Sequence, residues 1–562
     1  MRVCLLPYDI SHFTGPSKGL LPYKRPLPGV ASLPTAAMLS EKQVAIIGAG
    51  VSGLLACKHL LEAGFDPVVF ESHGRTGGVW VKGAIESTRL QTPKSFYQFS
   101  DFPWPQSMVE EFPDHRRVVE YLDAYVEEFG LLPRIRFNRR VTEIGFAGNE
   151  GKAADWKEWG GTGEAFSLHG KWKLTVEDSL DSGPAPEVYR ADFVILCIGM
   201  FSDLPRTPAF PVNEGPEVFD GKVLHSMDYA MMEWDHAVEL VRGKRVVVVG
   251  FQKSSLDIAA EVSKRNDKRY PCTLLFREAH WALPDYLIKY ISRNLNRFME
   301  CMIHKPGEGL FLCLLASLLS PLMWIFSKLM ESYLRWKYPL KRYGTVPEHS
   351  LNMQFQACMT PTLPPQFYDV VEEGSLILKK LRSFSFCKNG VIIDGDASKV
   401  VMADVVILAT GFKSDEKLKS IFASLYFRKC MAGSSAPLYR ECIHPRIPQV
   451  AILGYMNSFS VLHATEMRSK WLAHFLMGAF KLPGIREMEA DVTEWERCAR
   501  SYSKERYKRY QVSALLQIYC NDILCRDMGC NPRRKRSLLA ELFAPYGPAD
   551  YRGLAPPYLQ KP

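Results

Sequence analysis

The chain has 562 residues, 47% of them hydrophobic, and sets 70 Lys and Arg against 61 Asp and Glu for a net charge of +9. That length predicts roughly three to four domains with large cores, which excludes a disordered tail or a small stapled module. The mild positive balance lacks the one-sided excess of a nucleic-acid binder, and 14 cysteines without a C-x-x-C pair or a repeated metal spacing suit a reduced intracellular compartment.

Residues 1–40 hold six prolines (Pro7, Pro16, Pro22, Pro26, Pro28, Pro34), four basic residues and one acid, so they read as a disordered leader. The apolar start Val3–Leu6 is stopped by Pro7, too early for a secretory core, while the acid-poor basic composition leaves an organelle-transit reading open.

Gln43 to Ile47 reads as a short apolar strand that runs into Gly48-Ala49-Gly50-Val51-Ser52-Gly53 and then a helical pattern through Leu54, Leu55, Cys57, Leu60 and Leu61. In such a turn Gly48 permits the tight bend, Gly50 admits a pyrophosphate to the backbone, and Gly53 lets helix and strand pack closely. The next strand, Pro67 to Phe70, ends at Glu71, placed where a carboxylate accepts hydrogen bonds from a ribose diol. A second glycine cluster, Gly74 to Trp80, follows at once; it is either a surface turn or a further close approach to a bulky ligand, and its proximity to Glu71 points to FAD.

A second cradle begins at the strand Arg245–Val249 and turns through Gly250-Phe251-Gln252-Lys253-Ser254-Ser255 into a helical pattern. Gln252 stands where a second glycine is expected, and Lys253 and Ser254 offer donors to phosphate in its place; the alternative is a structural strand-turn-helix. The following strand, Thr273 to Phe276, ends on Arg277, which favours the 2′-phosphate of NADP(H); Glu278 next to it weakens this, and a solvated surface charge is the alternative.

Leu310 to Phe326 is an apolar run of 17 residues, about 25 Å at ~1.5 Å per residue and short of a ~30 Å hydrocarbon layer. A buried helix pair broken at Pro321 is the favoured reading; contact with a membrane interface, suggested by Lys328, Arg335, Trp336 and Lys337, is the second. Two strands end on glycine, Asp192–Gly199 and Asp404–Gly411, one before the second cradle and one well after it. This layout predicts a domain interrupted by an inserted one, with the chain returning to the first sheet near Thr410 and Gly411. Near the end, Cys520, Cys525 and Cys530 match no metal spacing, and Arg533–Arg536 reads as a solvated basic turn, with a nuclear address or lipid contact as alternatives.

The segment Phe219-Asp220-Gly221-Lys222-Val223-Leu224-His225-Ser226-Met227-Asp228-Tyr229 fits F-x-G-x-x-x-H-x-x-x-[FY] without exception, and on it the chain resembles the flavin-containing monooxygenase family from about residue 42 to 550. Tyr229 separates it from the Baeyer-Villiger branch, whose members carry Trp there. The stretches 90–105, 250–259, 305–322, 442–449 and 527–536 look like the plant branch, closest to defence-associated enzymes that N-hydroxylate pipecolic acid.

The resemblance implies an α/β fold of two Rossmann-like dinucleotide-binding domains, the NADP domain inserted into the FAD domain. The divisions would be a leader 1–40, FAD domain 41–210, NADP domain 211–350 with the apolar insert 310–326, and a return with the C-terminal region over 351–562. It implies FAD and NADPH as cofactors, O2 as co-substrate, and oxygen transfer through a C4a-hydroperoxyflavin to a small amine or amino acid. Thioether S-oxygenation and indole keto-acid oxygenation are alternatives within the family; a FAD-bound interaction protein without catalysis is the alternative outside it.

By resemblance, Gly48, Gly50, Gly53 and Glu71 hold FAD with Gly78 and Trp80 near the flavin, Gly250, Lys253, Ser254 and Arg277 hold NADP, and Thr410 and Gly411 complete the cofactor site. Gln91 takes the catalytic position at which other members carry an Asn, and its amide donates from one methylene farther out. His225 is expected to serve the fold, no metal or nucleic acid is expected, and the chain is placed in the cytoplasm, at the surface of the endoplasmic reticulum if 310–326 touches membrane.

Overall fold

The computed structural model describes residues 36–148, 155–166, 170–181, 183, 185–431, 437–503 and 515–554. The expected leader lies outside them as far as residue 35, and its last residues, Ala36–Ser40, form a short helix.

Two five-stranded parallel sheets organise the fold. The first runs Val450–Ile452, Phe193–Leu196, Val44–Ile47, Val68–Phe70, Ile135–Arg136 in spatial order; the second runs Leu376–Lys380, Cys272–Phe276, Val246–Val249, Val405–Leu408, Lys222–His225. Val44–Ile47, Phe193–Leu196, Val246–Val249 and Val405–Leu408 are buried at every position, as unbroken apolar runs are when helices cover both faces of a parallel sheet. Each fully buried Val, Ile or Leu contributes roughly 1.5–3 kcal/mol, so these strands fix the layer order.

The two units repeat one plan. In each, the cradle strand is central, the strand after the cradle helix lies on one side, and a glycine-ended strand lies on the other. That last strand is preceded in both by a three-stranded antiparallel meander: Arg139–Ala147, Lys171–Asp178, Glu187–Ala191 in the first, and Phe384–Cys387, Gly390–Ile393, Asp396–Met402 in the second.

This repetition corrects the expected return point. Val405–Leu408 does not rejoin the first sheet; it pairs in parallel with Val246–Val249 and Lys222–His225. The second unit therefore extends through Leu408 rather than ending at 350, and the first sheet is regained at Val450–Ile452, beside Phe193–Leu196. Thr410 and Gly411 lie on the crossing: Arg206 N donates to Gly411 O at 2.8 Å, Lys413 N donates to Leu204 O at 2.8 Å, and the Thr410 hydroxyl donates to Arg206 O. The outgoing and returning strands of the insertion are thus tied to each other.

The apolar run also departs from its favoured reading. Leu310–Lys337 is one helix of 28 residues, continuous through Pro321, and only its inner stripe, Ala316, Ser327, Met330, Glu331 and Leu334, is buried. Proline cannot donate to the carbonyl four residues back; the Ser320 hydroxyl donates to that Ser317 oxygen instead, at 3.3 Å.

Candidate active site between two nucleotide cradles

The first cradle is built by backbone approach. Gly48 has φ +103°, a left-handed value that glycine accepts without strain, and a Cβ there would lie 2.5 Å from the Cys197 carbonyl oxygen. A Cβ on Gly53 would meet the Gly48 oxygen at 1.8 Å, so helix Val51–Glu62 reaches the strand only because position 53 has no side chain. Gly50 faces the second glycine cluster: a Cβ on Gly78, at φ +56°, would lie 3.1 Å from Gly50 Cα, and Gly77 N donates to Ala49 O at 3.2 Å. Buried Glu71 closes the cradle, accepting from Ala49 N at 2.6 Å and His73 N at 2.9 Å. Trp80 follows Gly78, its indole N–H donating to the Tyr97 hydroxyl at 2.6 Å. Gln91 is exposed on the loop one residue past buried Leu90.

The second cradle repeats the first at its opening. Gly250 has φ +138°, and a Cβ would lie 2.6 Å from the Ala409 oxygen, the counterpart of the Gly48 contact with Cys197. Ser255, fully buried, donates to Gln252 O at 2.7 Å and supplies the small third position. The Gln252 side-chain amide nitrogen is buried without a protein hydrogen-bond partner at the place where the second glycine is expected. The Lys253 ammonium, expected to face phosphate, is held by Asp257 one helical turn on, at 2.5 and 2.6 Å, while Ser254 is exposed at the helix start. Arg277 is exposed at the end of Cys272–Phe276, and its neighbour Glu278 lies 3.5 Å from His349 Nδ1.

The structure brings the two cradles together through residues that sequence reading missed. Ser87 N donates to Glu261 Oε2 at 3.0 Å, joining the loop after Trp80 to the second cradle helix, Lys253–Asn266, and Arg89 pairs at 2.5 Å with Asp285, the first residue of helix Asp285–Arg293. Between them lies a cavity of about 380 Å³, lined by Arg89, Lys253, Asp257, Glu261, Arg265 and Asp285 among others. Burial pushes the Asp257 and Asp285 carboxyls up from the ordinary carboxylate range, against the pull of Lys253 and Arg89 respectively. Lys417 was also missed: its ammonium, lowered by burial despite Asp203, bonds Ser202 Oγ at 2.6 Å and Asp203 at 2.5 Å below the first sheet's glycine-ended strand.

The motif residues around 219–229 serve the fold. His225 Nδ1 accepts from Met227 N at 3.1 Å and His225 N donates to Asp228 at 3.0 Å, capping helix Ser226–Met231, while the Tyr229 hydroxyl reaches Glu261 at 3.4 Å. Cys520, Cys525 and Cys530 are buried, the thiols of the last two pushed up by burial to about 12 and about 11. The basic turn is tied inward: Arg534 donates to Asp550 O at 2.9 Å and Lys535 bonds the Asp550 carboxylate at 2.5 Å.

These features fit two dinucleotides. The Gly48 to Gly53 turn leaves room that any Cβ would fill, at a helix N-terminus suited to pyrophosphate, with Gly78 and Trp80 alongside for a flavin ring. The second turn offers a helix start, an unpartnered buried amide on Gln252 and an exposed Arg277 to a nucleotide carrying an extra phosphate.

The comparisons agree. The sequence profile of the family described as "Flavin-binding monooxygenase-like" matches residues 41–542. The chain is 37% identical over 525 residues to "Probable flavin-containing monooxygenase 1" of Arabidopsis thaliana, covering 92% of this chain and 97% of that protein. It is 28% identical to "Flavin-containing monooxygenase 5" of Rattus norvegicus over 83% of this chain and 79% of the other. Among solved structures, a steroid monooxygenase bound to NADP superposes with TM-score 0.62 at 18% identity, covering 86% of this chain and 97% of that one. S-allyl-L-cysteine S-oxygenase from Allium sativum superposes with TM-score 0.52 at 18% identity, covering 87% and 88%. The chain therefore belongs to the flavin-containing monooxygenases, enzymes that use FAD and NADPH.

Proposed function

We propose that this monooxygenase N-hydroxylates a small amine or amino acid of the pipecolate type. The bound flavin, reduced by NADPH, supplies the activation of O2; the chain's own residues bind, orient and deprotonate the substrate. The observation that carries the reading is the charge of both signs around the 380 Å³ cavity between the loop at residues 86–89 and helix Lys253–Asn266. Arg89 suits a substrate carboxylate, bidentate and always charged. Asp257 and Asp285, raised by burial, are more basic than ordinary carboxylates and so better placed to take the proton from a substrate ammonium, leaving the free amine as nucleophile. Gln91 supports the reading as an amide donor on the loop that leads from Trp80 and Arg89.

The test is NADPH consumption by purified, yellow protein with pipecolate, carboxylate-free cyclic amines, thioethers and an indole keto acid, with product mass and hydrogen peroxide release recorded. An N-hydroxylated amino acid with little peroxide is the expected outcome. Arg89→Ala is expected to raise KM for amino acids about 10-fold or more, the loss of one charge-assisted hydrogen bond, and to change KM for carboxylate-free amines much less, while shifting the pH profile of both as Asp285 loses its ion-pair partner. Turnover confined to thioethers would overturn N-hydroxylation in favour of the S-oxygenation named for the Allium enzyme.

A further inference from the structure

We propose that helix Leu310–Lys337 docks the protein on an anionic lipid surface, lying in the plane of the headgroup boundary. This goes beyond the oxygenation reading and does not depend on which substrate is used.

The outer face is apolar and open: Phe311, Leu318, Leu329 and Trp336 are 76%, 75%, 66% and 80% exposed. At 3.6 residues per turn the exposed apolar positions other than Leu312, in the first turn, cover an arc of about 160°. Burial of the opposite stripe fixes which side faces out. Met330 and Leu334 belong to the second unit's core, and buried Glu331 accepts from Leu351 N at 2.9 Å and from the Lys328 ammonium at 2.8 Å. The helix is thus held along the inner side of its C-terminal half, which places the open apolar face of the preceding turns alongside the body.

Charge selects the occupant. Between residues 309 and 347 the acidic residue is Glu331, which is buried, against Lys328, Arg335, Lys337, Lys341 and Arg342. All five basic residues follow the apolar stretch, and Trp324, Trp336, Tyr286 and Tyr290 stand exposed on or beside the helix. Aromatic rings with a polar edge and lysines with long stems are the side chains that settle at a headgroup layer, and basic residues add attraction where the lipids are anionic. A second copy of the helix would be expected to meet a narrow two-position seam, not an arc this wide.

The full-length FAD-loaded protein is sedimented with phosphatidylcholine vesicles, with and without phosphatidylserine, at low and high salt. Binding is expected to the phosphatidylserine vesicles and to weaken with salt. Leu318→Asp combined with Ile325→Asp should abolish it with flavin content and NADPH-driven bleaching unchanged. Lys337→Glu, Lys341→Glu and Arg342→Glu together should weaken it on the order of 100-fold. Protein that stays in the supernatant with every vesicle, or aspartate variants that bind as the parent does, would overturn the proposal. So would a lipid-free dimer that the aspartate pair dissolves, seen by sedimentation velocity, with no vesicle binding.

Discussion

At Gly53 one hydrogen atom decides whether the first cradle exists. A Cβ there lies 1.8 Å from a carbonyl oxygen that belongs to the turn itself, so no side-chain rotation relieves it. Gly53→Ala is expected to yield protein that is insoluble or colourless, checked by flavin absorbance after purification; normal yellow protein would contradict the geometry. Gln252 presents the reverse case, a side chain where the pattern calls for none. Its buried, unpartnered amide is predicted to donate to bound NADPH, so Gln252→Ala should weaken NADPH binding about 10-fold, the net worth of one hydrogen bond to a charged group, and leave FAD content unchanged. Binding titration in the absence of oxygen separates the two cofactors. The glycines and Glu71 were legible in the sequence because turn chemistry allows few residues at those positions. Arg89, Asp285 and Lys417 were not, because a charged residue in a loop or short helix carries no sign of the partner that folding brings to it.

Helix Val461–Leu476 shows what the buried elements demand. From Leu462 onward every residue is buried, including Glu466, Arg468 and Lys470. Burial alone would raise the Glu466 carboxyl, but Lys470 at 3.2 Å and the nearby His463 outweigh it and hold the group well below the usual 4.5. Glu466 also accepts from Ser100 N and Ser100 Oγ, at 3.0 and 2.6 Å, fastening this late helix to the segment after Gln91. Glu466→Gln is expected to cost about 3–5 kcal/mol, as it leaves a buried ammonium uncompensated; chemical denaturation measures it. Burial likewise holds the His59, His463 and His474 imidazoles below the ordinary 6.5. A group whose value is depressed in the folded state stabilises fully above its unfolded value and loses that contribution as pH falls through the folded one. The histidines' contribution to the thermal midpoint should therefore be level above about pH 6.5 and decline below it, that of Glu466 should decline below about pH 4.5, and buried Glu300, raised to about 8, should lower the midpoint as pH rises toward 8. An unchanged midpoint from pH 7 down to pH 4 would contradict this. The long helix was misread at the same scale: a proline in an apolar run signals a break, and the local repair by Ser320 is visible only in three dimensions.

For the whole molecule, nesting was legible and its far boundary was not. Asp192–Gly199 and Asp404–Gly411 look alike because they are the same strand of two repeated units, and likeness of sequence does not say which sheet each one joins. Residues 212–412, spanning the whole second sheet, should unfold cooperatively when expressed alone; 212–350, which lacks Leu376–Lys380 and Val405–Leu408, should not. Circular dichroism during denaturant titration checks both, and equal behaviour would contradict the corrected boundary. The same connectivity orders events on the ribosome. About 250 residues separate Leu196 from Val450, roughly 13–50 s of synthesis at about 5–20 residues per second. During that interval the inner unit is finished while the outer one lacks its edge strand and its fully buried helix. The nascent outer sheet is then an open apolar surface waiting for its own C-terminus, and slowed translation past residue 408 should raise its demand for chaperones before the flavin can bind.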